Sequence, residues 1–406
     1  MSNPKLRFKR EDGTSYSKWK NEYLNKCATF HSGLTYSPND VTNGNSGVLV
    51  IRSTNIQNGI LVYNDNVYVN VELPEKLKLQ LNDTVMCVRN GSKALVGKNA
   101  LVKHCDLDKT WGAFMTVIRG NESNCFIHHY LNSPYFKRQM DINAGTSTIN
   151  QITSAMLNEC ILSIPTDTEE QQKIADFLST VDEVIAQSEA EVQNLEQQKK
   201  GAMQKIFSQE VRFKREDGTG FPAWKFVRID EMAEINPKSS AIPERFFYMD
   251  LGSISMGLWQ EQVVINKENA PSRANRLANC GDVFFQSVRP YNMGHYYLSQ
   301  KFDLPVVAST GFIQLRARKG YCNAYIYQLL YEDRFNAEVN IRCTGSNYPA
   351  INSESFSDIE IMSPCLEEQQ KIADFLSAYD EAITYAKQEL DKWKELKKGL
   401  LQQMFV

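Results

Sequence analysis

The eleven residues EEQQKIADFLS stand at 169–179 and recur letter for letter at 367–377, 198 positions later. The likeness continues without a gap, so that 169–207 aligns with 367–405. Both stretches lack glycine and proline until Gly201 and Gly399, and both are rich in Ala, Glu, Gln, Lys and Leu, the residues that cost a helix least. In the first copy a 4,3 spacing runs through Ile174, Leu178, Val181, Ile185, Ser188, Val192, Leu195, Lys199, Ala202 and Ile206. In the second it runs through Ile372, Leu376, Tyr379, Ile383, Ala386, Leu390, Trp393, Lys397, Leu400 and Met404. Ten positions in register without a slip predict two long helices that pair as a coiled coil. Two unrelated surface helices are the alternative, but each stripe is narrower than a globular core requires. Lys199 and Lys397 interrupt the seam; their stems are expected to lie along it with the ammonium groups in water. The many carboxylates of the two helices are expected to form a solvated face.

A second repeat, RFKREDGT, stands at 7–14 and 212–219, each copy followed by Trp-Lys (Trp19-Lys20 and Trp224-Lys225). The order is therefore linker (1–20), head (21–165), long helix (166–208), linker (209–225), head (226–364), long helix (365–406). The second helix leaves the second head, so it can pair along the first only by running back antiparallel. The chain then closes on itself in a circular, pseudo-two-fold organisation. About 38 residues at 1.5 Å each make a rod of roughly 57 Å, with the heads expected at opposite ends. That length exceeds one turn of DNA, about 34–36 Å.

Both heads read as α/β. The first offers strand-like runs at 48–53, 83–89 and 113–119, the second at 246–254, 282–290 and 310–317. Each head then carries one helical stretch (FIHHYLNSPYFKRQMDI, AYIYQLLYEDRFNAEVN) and a Gly-Ser/Thr turn (GTSTIN at 145–150, GSNYPAIN at 345–352). The heads share this order with little identity. A near-identical scaffold beside divergent heads suits a scaffold that meets one partner twice and heads that meet different things.

The chemistry of common enzymes is missing from the pattern. There is no GxxxxGK[ST] phosphate loop and no GxGxxG, and the five histidines form no HxxxH or His/Cys group. His128-His129 reads as packing or surface, and Asn-Ser-Pro-Tyr at 132–135 as a helix or turn feature. The nine cysteines are dispersed without a CxxC pair, as expected of reduced thiols in the cytoplasm rather than a disulfide framework or zinc site. No secretory signal and no stretch of roughly 18–20 apolar residues is seen, so no membrane partner is expected. The net charge is −3, unevenly spread: residues 1–20 sum to +4 and 167–208 to −5. An acidic scaffold with near-neutral heads should attract phosphates only modestly by itself.

What remains are polar and basic residues on expected loops. In the first head these are Arg52, Ser53, Asn55, Arg89, Asn90, Ser92, Lys93 and Thr146; in the second, Arg273, Arg276, Gln286, Ser287, Arg289, Tyr291, Asn292, Ser346 and Asn347. Arginine can pair two hydrogen bonds with guanine, and Asn or Gln with adenine. Surface turns and phosphate contacts explain such residues equally well one at a time; as groups at matching places they are candidate DNA contacts.

Head, EQQKIADFLS helix, dissimilar head, matching helix: this organisation resembles the specificity (S) subunits of type I restriction–modification systems. The resemblance covers essentially the whole chain and is carried by Pro165 to Ile174, Pro364 to Ile372 and the RFKREDGT…Trp linker. It implies that each head is a target recognition domain for half of a split double-stranded DNA site. It implies too that the antiparallel coiled coil is ruler and docking surface for two methyltransferase (M) subunits. Restriction (R) subunits would join the full complex. S-adenosylmethionine for adenine methylation, and ATP and Mg for cleavage, would belong to those partners, with no cofactor, metal or catalytic residue in this chain. Two alternatives stay open at this level: a coiled-coil adaptor with protein-binding heads, and a stand-alone DNA methyltransferase or nuclease.

Overall fold

The computed structural model describes residues 4–44, 46–144, 150–239, 241–255 and 257–406. The chain forms two compact units, Met1–Glu189 with Gln388–Val406, and Ala190–Lys387. Each unit therefore holds one head and half of each long helix, whereas the sequence borders fall between heads and helices.

In the first unit the head is closed where the chain enters and leaves it, by Lys20–Tyr23 antiparallel to Ile161–Ile164. Within it an antiparallel sheet runs in the order Ala28–Ser32, Met115–Gly120, Thr84–Cys87, Asn99–Leu101. A smaller sheet places Val48–Ile51 between Tyr68–Val69 and Thr110–Trp111, parallel to the latter. The second unit repeats the plan. Lys225–Arg228 pairs with Glu360–Ser363. The antiparallel sheet is Ala233–Ile235, Phe312–Ala317, Val283–Gln286, Tyr296–Tyr297, and a mixed sheet is built on Arg245–Met249 and Val306–Ser309. Each expected single helical stretch is in fact two helices, Asn124–Leu131 and Pro134–Ala144 in one head, Asn323–Leu329 and Asp333–Arg342 in the other. The break is made by new N-caps: Ser133 Oγ accepts from Phe136 N at 3.3 Å, and a Glu332 carboxylate oxygen from Phe335 N at 2.6 Å. Pro134 opens its helix where a missing N–H costs nothing.

The long helices span Thr168–Phe207 and Leu366–Met404. In the first unit Ile174, Leu178 and Val181 share a core with Leu400, Leu401 and Met404, and Ile185 and Trp393 lie at its edge. In the second, Met203, Ile206 and Phe207 share a core with Ile372, Ala373 and Leu376. Early residues of one helix thus meet late residues of the other, which is antiparallel pairing inside each unit. Of the remaining seam positions Val192, Ile383 and Leu390 are buried, and Leu195 and Tyr379 are half-buried.

Two expectations about charge are corrected. The seam lysines do not send their ammonium groups into water: Lys199 Nζ donates to Asp380 Oδ1 at 2.6 Å, and Lys397 pairs with Asp182. Nor are all helix carboxylates solvated, because Glu170 and Glu368 are fully buried. Glu170 accepts both Arg7 Nε (2.9 Å) and an Arg7 terminal nitrogen (2.8 Å), and also the Trp19 indole N–H (3.0 Å). Glu368 accepts the same from Arg212 (3.1 and 2.6 Å) and Trp224 (3.1 Å). A carboxylate without water needs this many charge-assisted donors. The identical RFKREDGT and EEQQKIADFLS letters are thus the two jaws of one clamp, built twice. All nine cysteines are free. Among the described residues no helix is long and apolar enough to cross a membrane.

Candidate nucleic-acid interface

In each head the third strand of the antiparallel sheet runs out into a loop held by three backbone bonds. In the first head Val88 N donates to Phe114 O (3.0 Å), Ile152 N to Val88 O (2.8 Å) and Asn90 N to Asn150 O (3.3 Å). In the second Ser287 N donates to Gly311 O (3.1 Å), Ile351 N to Ser287 O (3.0 Å) and Arg289 N to Pro349 O (2.7 Å). The frame is shared and its side chains are not: Arg89, Asn90 and Phe114 stand where Val288, Arg289 and Gly311 stand in the other head.

In the first head this frame brings two candidate loops together, because Asn90 Nδ2 donates to Ser53 Oγ at 3.0 Å. The Asn90 Oδ1 accepts from Ser92 N at 3.0 Å, and Ser92 and Lys93 are exposed. Arg89 is exposed, with its guanidinium carbon 5.5 Å from the ring centroid of Phe114. Arg52 is engaged by Asp65, with a 2.9 Å ion pair and a 3.1 Å bond to the carbonyl. Asn55 faces inward, contrary to expectation: it is fully buried, accepting from Arg52 N and donating to Val62 O and Asp65 O. It shapes the loop and offers nothing outward. Thr146 lies outside the described residues.

In the second head Arg289 meets the 344–350 turn, whose Thr344 pairs with Ala350 and which carries Ser346 and Asn347; Tyr291 and Asn292 follow Arg289 in the short helical turn Pro290–Asn292. Tyr291 and Asn292 are exposed, as are Ser346 and Asn347. Gln286 and Ser287 are corrected inward. Both are buried; Gln286 is a strand residue whose amide donates to Val288 O (2.8 Å) and accepts from Gly294 N (2.9 Å), and Ser287 Oγ donates to Gly311 O (2.7 Å). Arg276 also sits on a strand, Ala274–Ala278, half-buried, and burial pushes its guanidinium pKa down. Arg273 is exposed, beside the Thr310 turn, whose N–H it accepts on its carbonyl at 2.9 Å.

Sequence reasoning missed Phe114 and Tyr348, two rings left 60% and 66% exposed. Phe114 falls at the start of the strand-like run 113–119 and Tyr348 inside the GSNYPAIN turn, and neither ring is singled out there as a contact. A glycine within three residues of each (Gly112, Gly345) was the available signal that the ring sits on a turn.

One further cluster is polar and buried. Donor atoms of His128, His129 and Asp182 lie within 4.8 Å of one another, a spacing a cation could use. Lys397 already pairs with the Asp182 carboxylate, and burial with that nearby ammonium keeps His128 and His129 well below the usual histidine range. In the second unit Gln328 takes the place of His129 and donates to Asp380 at 2.7 Å. The arrangement is thus an Asp–Lys bridge beneath a head helix, made twice.

With this geometry in place, comparison with known proteins is informative. A family model described as "Type I restriction modification DNA specificity domain" matches twice, at residues 16–197 and 223–394. The StySPI specificity subunit of Salmonella potsdam is 28% identical over 184 residues, 44% of this chain and 39% of that relative. The EcoKI specificity subunit of Escherichia coli is 30% identical over 168 residues, 40% and 36% of the two chains. The MjaVIII specificity subunit of Methanocaldococcus jannaschii is 24% identical over 249 residues, 57% and 58%. The matches thus span about two- to three-fifths of these relatives' lengths. Among solved structures, an S subunit from M. genitalium superposes with a TM-score of 0.62 at 15% identity, covering 100% of this chain and 99% of that one. A chain from a study of complex assembly and conformational transition of the type I R-M system gives 0.52 at 17% identity, covering 95% and 97%.

Proposed function

Because this chain belongs to the type I restriction modification DNA specificity family, we propose that each head reads one half of a bipartite double-stranded DNA site, while the paired helices set the spacer. The observation that carries this reading is the loop frame made by the same three backbone bonds in both heads and furnished with unlike side chains. A reader of two different half-sites needs a common support and different contacts upon it. Linking two weak readers in one chain multiplies their selectivity when both are engaged.

The clamps and helix starts recur almost letter for letter, which suits docking of the same partner twice, namely two M subunits. S-adenosylmethionine-dependent adenine methylation is assigned to them, and ATP- and Mg-dependent cleavage to R subunits, so that this chain contributes recognition without a catalytic step. The test is methylation-motif sequencing of a host with and without this chain. Loss of a two-part methylated motif, and no other, supports the reading; an unchanged set of motifs rejects it.

A further inference from the structure

The loop between Gln286 and Gly294 holds two residues with side chains in the left-handed region, Arg289 and Met293, each at φ 51°. A Cβ disfavours that backbone. At Met293 the first head does the same with a glycine, Gly97 at φ 88°, but at Arg289 it does not: the counterpart Asn90, held by the same backbone bonds, has no positive φ. The strained form is also firmly held. Buried Gln286 spans it from Val288 O to Gly294 N, and a Cβ on Gly294 would lie 2.1 Å from the Gln286 Oε1 that makes the second bond. Gln286 N donates in turn to His295 Nδ1 at 3.1 Å. Strain that one head carries and its twin avoids belongs to what that head does.

What this loop presents is one arginine. The Arg289 guanidinium carbon lies 4.3 Å from the ring centroid of Tyr348. Its Nε is buried without a hydrogen-bond partner, and among the described residues it has no carboxylate partner. Arg52, Arg119, Arg228, Arg316 and Arg342 of the heads each face an acid. A planar fork laid against a ring, with donors unspent, is set for two acceptors in its own plane. Guanine O6 and N7 in the major groove are such a pair, and so are two oxygens of a phosphate. The first head seats its own ring-backed arginine, Arg89 on Phe114, one residue earlier on the frame and ties Asn90 to Ser53 at the Arg289 position. A contact to the backbone common to both half-sites would be furnished alike in the two heads, which favours the base over the phosphate.

We propose that Arg289 reads a guanine in the half-site of the second head, with Tyr348 as its positioning residue. The proposal rests on the bipartite reading above. It is tested in a host carrying the full chain and its partner subunits, by motif sequencing of Arg289→Ala and Arg289→Lys. Both variants are expected to relax one guanine of one half-site, leaving the other half-site and the gap intact. Discrimination at that base should fall roughly 5- to 150-fold in methylation of single-substitution DNA. Lysine keeps the charge and loses the fork, so a wild-type motif with Arg289→Lys, or a uniform drop in methylation with the motif intact, overturns the proposal. Should Arg289→Ala give no methylation at all, Arg289→Lys decides alone. A wild-type motif without two parts would instead overturn the underlying reading.

Discussion

Lys199 donates to Asp380 at 2.6 Å across the paired helix segments of the second unit, with its side chain only 12% exposed. The same carboxylate accepts Gln328 Nε2 at 2.7 Å, so one aspartate ties both long helices to the head. Removing one partner of such a pair leaves a half-buried charge. Lys199→Met should therefore lower unfolding stability by about 1–3 kcal/mol, and adding Asp380→Asn should recover part of the loss. Urea denaturation of the wild type, both single variants and the double checks this; additive losses would mean the two groups are not coupled.

The inner ion pairs carry a different message. Glu189 pairs with Lys394 in the first unit and Glu196 with Lys387 in the second, each at 2.7 Å. Positions 189 and 196 correspond to 387 and 394 in the repeat, so the central helix supplies both acids and the C-terminal helix both bases. The outer pairs, by contrast, use Asp and Lys on each helix. Reversing one side (Glu189→Lys with Glu196→Lys) should cost about 1–2 kcal/mol, more at low salt. Reversing Lys387 and Lys394 to Glu as well should restore most of it. Equal stability of all four combinations would show these partly exposed pairs to be idle.

Acid should unfold the chain through its buried histidines. Burial pushes His295 and His128 down to about 3, with Lys397 a second cause for His128. A folded-state pKa below the unfolded 6.5 means that the unfolded chain takes up protons first. The contribution is complete above pH 6.5 and is lost as pH falls from there toward 3. By pH 5 each histidine should have cost about 2 kcal/mol. Denaturant midpoints at pH 7.5 and 5.0 check this, and His295→Asn should remove one share of the slope.

The seam core is equally testable. Leu178 and Leu376 are fully buried counterparts, and Leu→Ala at either should cost about 2–5 kcal/mol. Calorimetry or denaturation that showed under 1 kcal/mol would place these leucines outside a packed seam.

The long helices were legible because a 3.5-residue period is local: Ile174 to Ile206 can be read without knowing the partner. What Lys199 and Glu170 do was not legible. Their partners Asp380 and Arg7 are 181 and 163 residues away, and nothing local marks a charge as destined for burial. In the heads, the strands carrying Val85, Phe284 and Ile313 were legible from their apolar β-branched or aromatic runs. Loop direction was not. Asn55 and Asn90 look alike in sequence, yet one is sealed inside by three carbonyl and amide partners and the other ties two loops at the surface. Phe114 and Tyr348 were passed over because exposure of a ring depends on the turn beneath it.

Charge sets an expectation for binding. With a net charge of −3 the isolated chain should bind its target weakly and tighten greatly when M subunits supply further phosphate contacts. Gel shifts across a salt series, with and without M subunit, measure it; equal affinity and salt slope in both would contradict the expectation.

The central claim is that paired helices fix the separation between two unlike readers. Seven residues inserted into each long helix at facing positions preserve the seam and add about 10.5 Å, or about 3 base pairs at 3.4 Å each. Motif sequencing of a host carrying this lengthened chain should return both half-sites unchanged, with the gap between them longer by about 3 base pairs. The same half-sites at the original gap would contradict the claim.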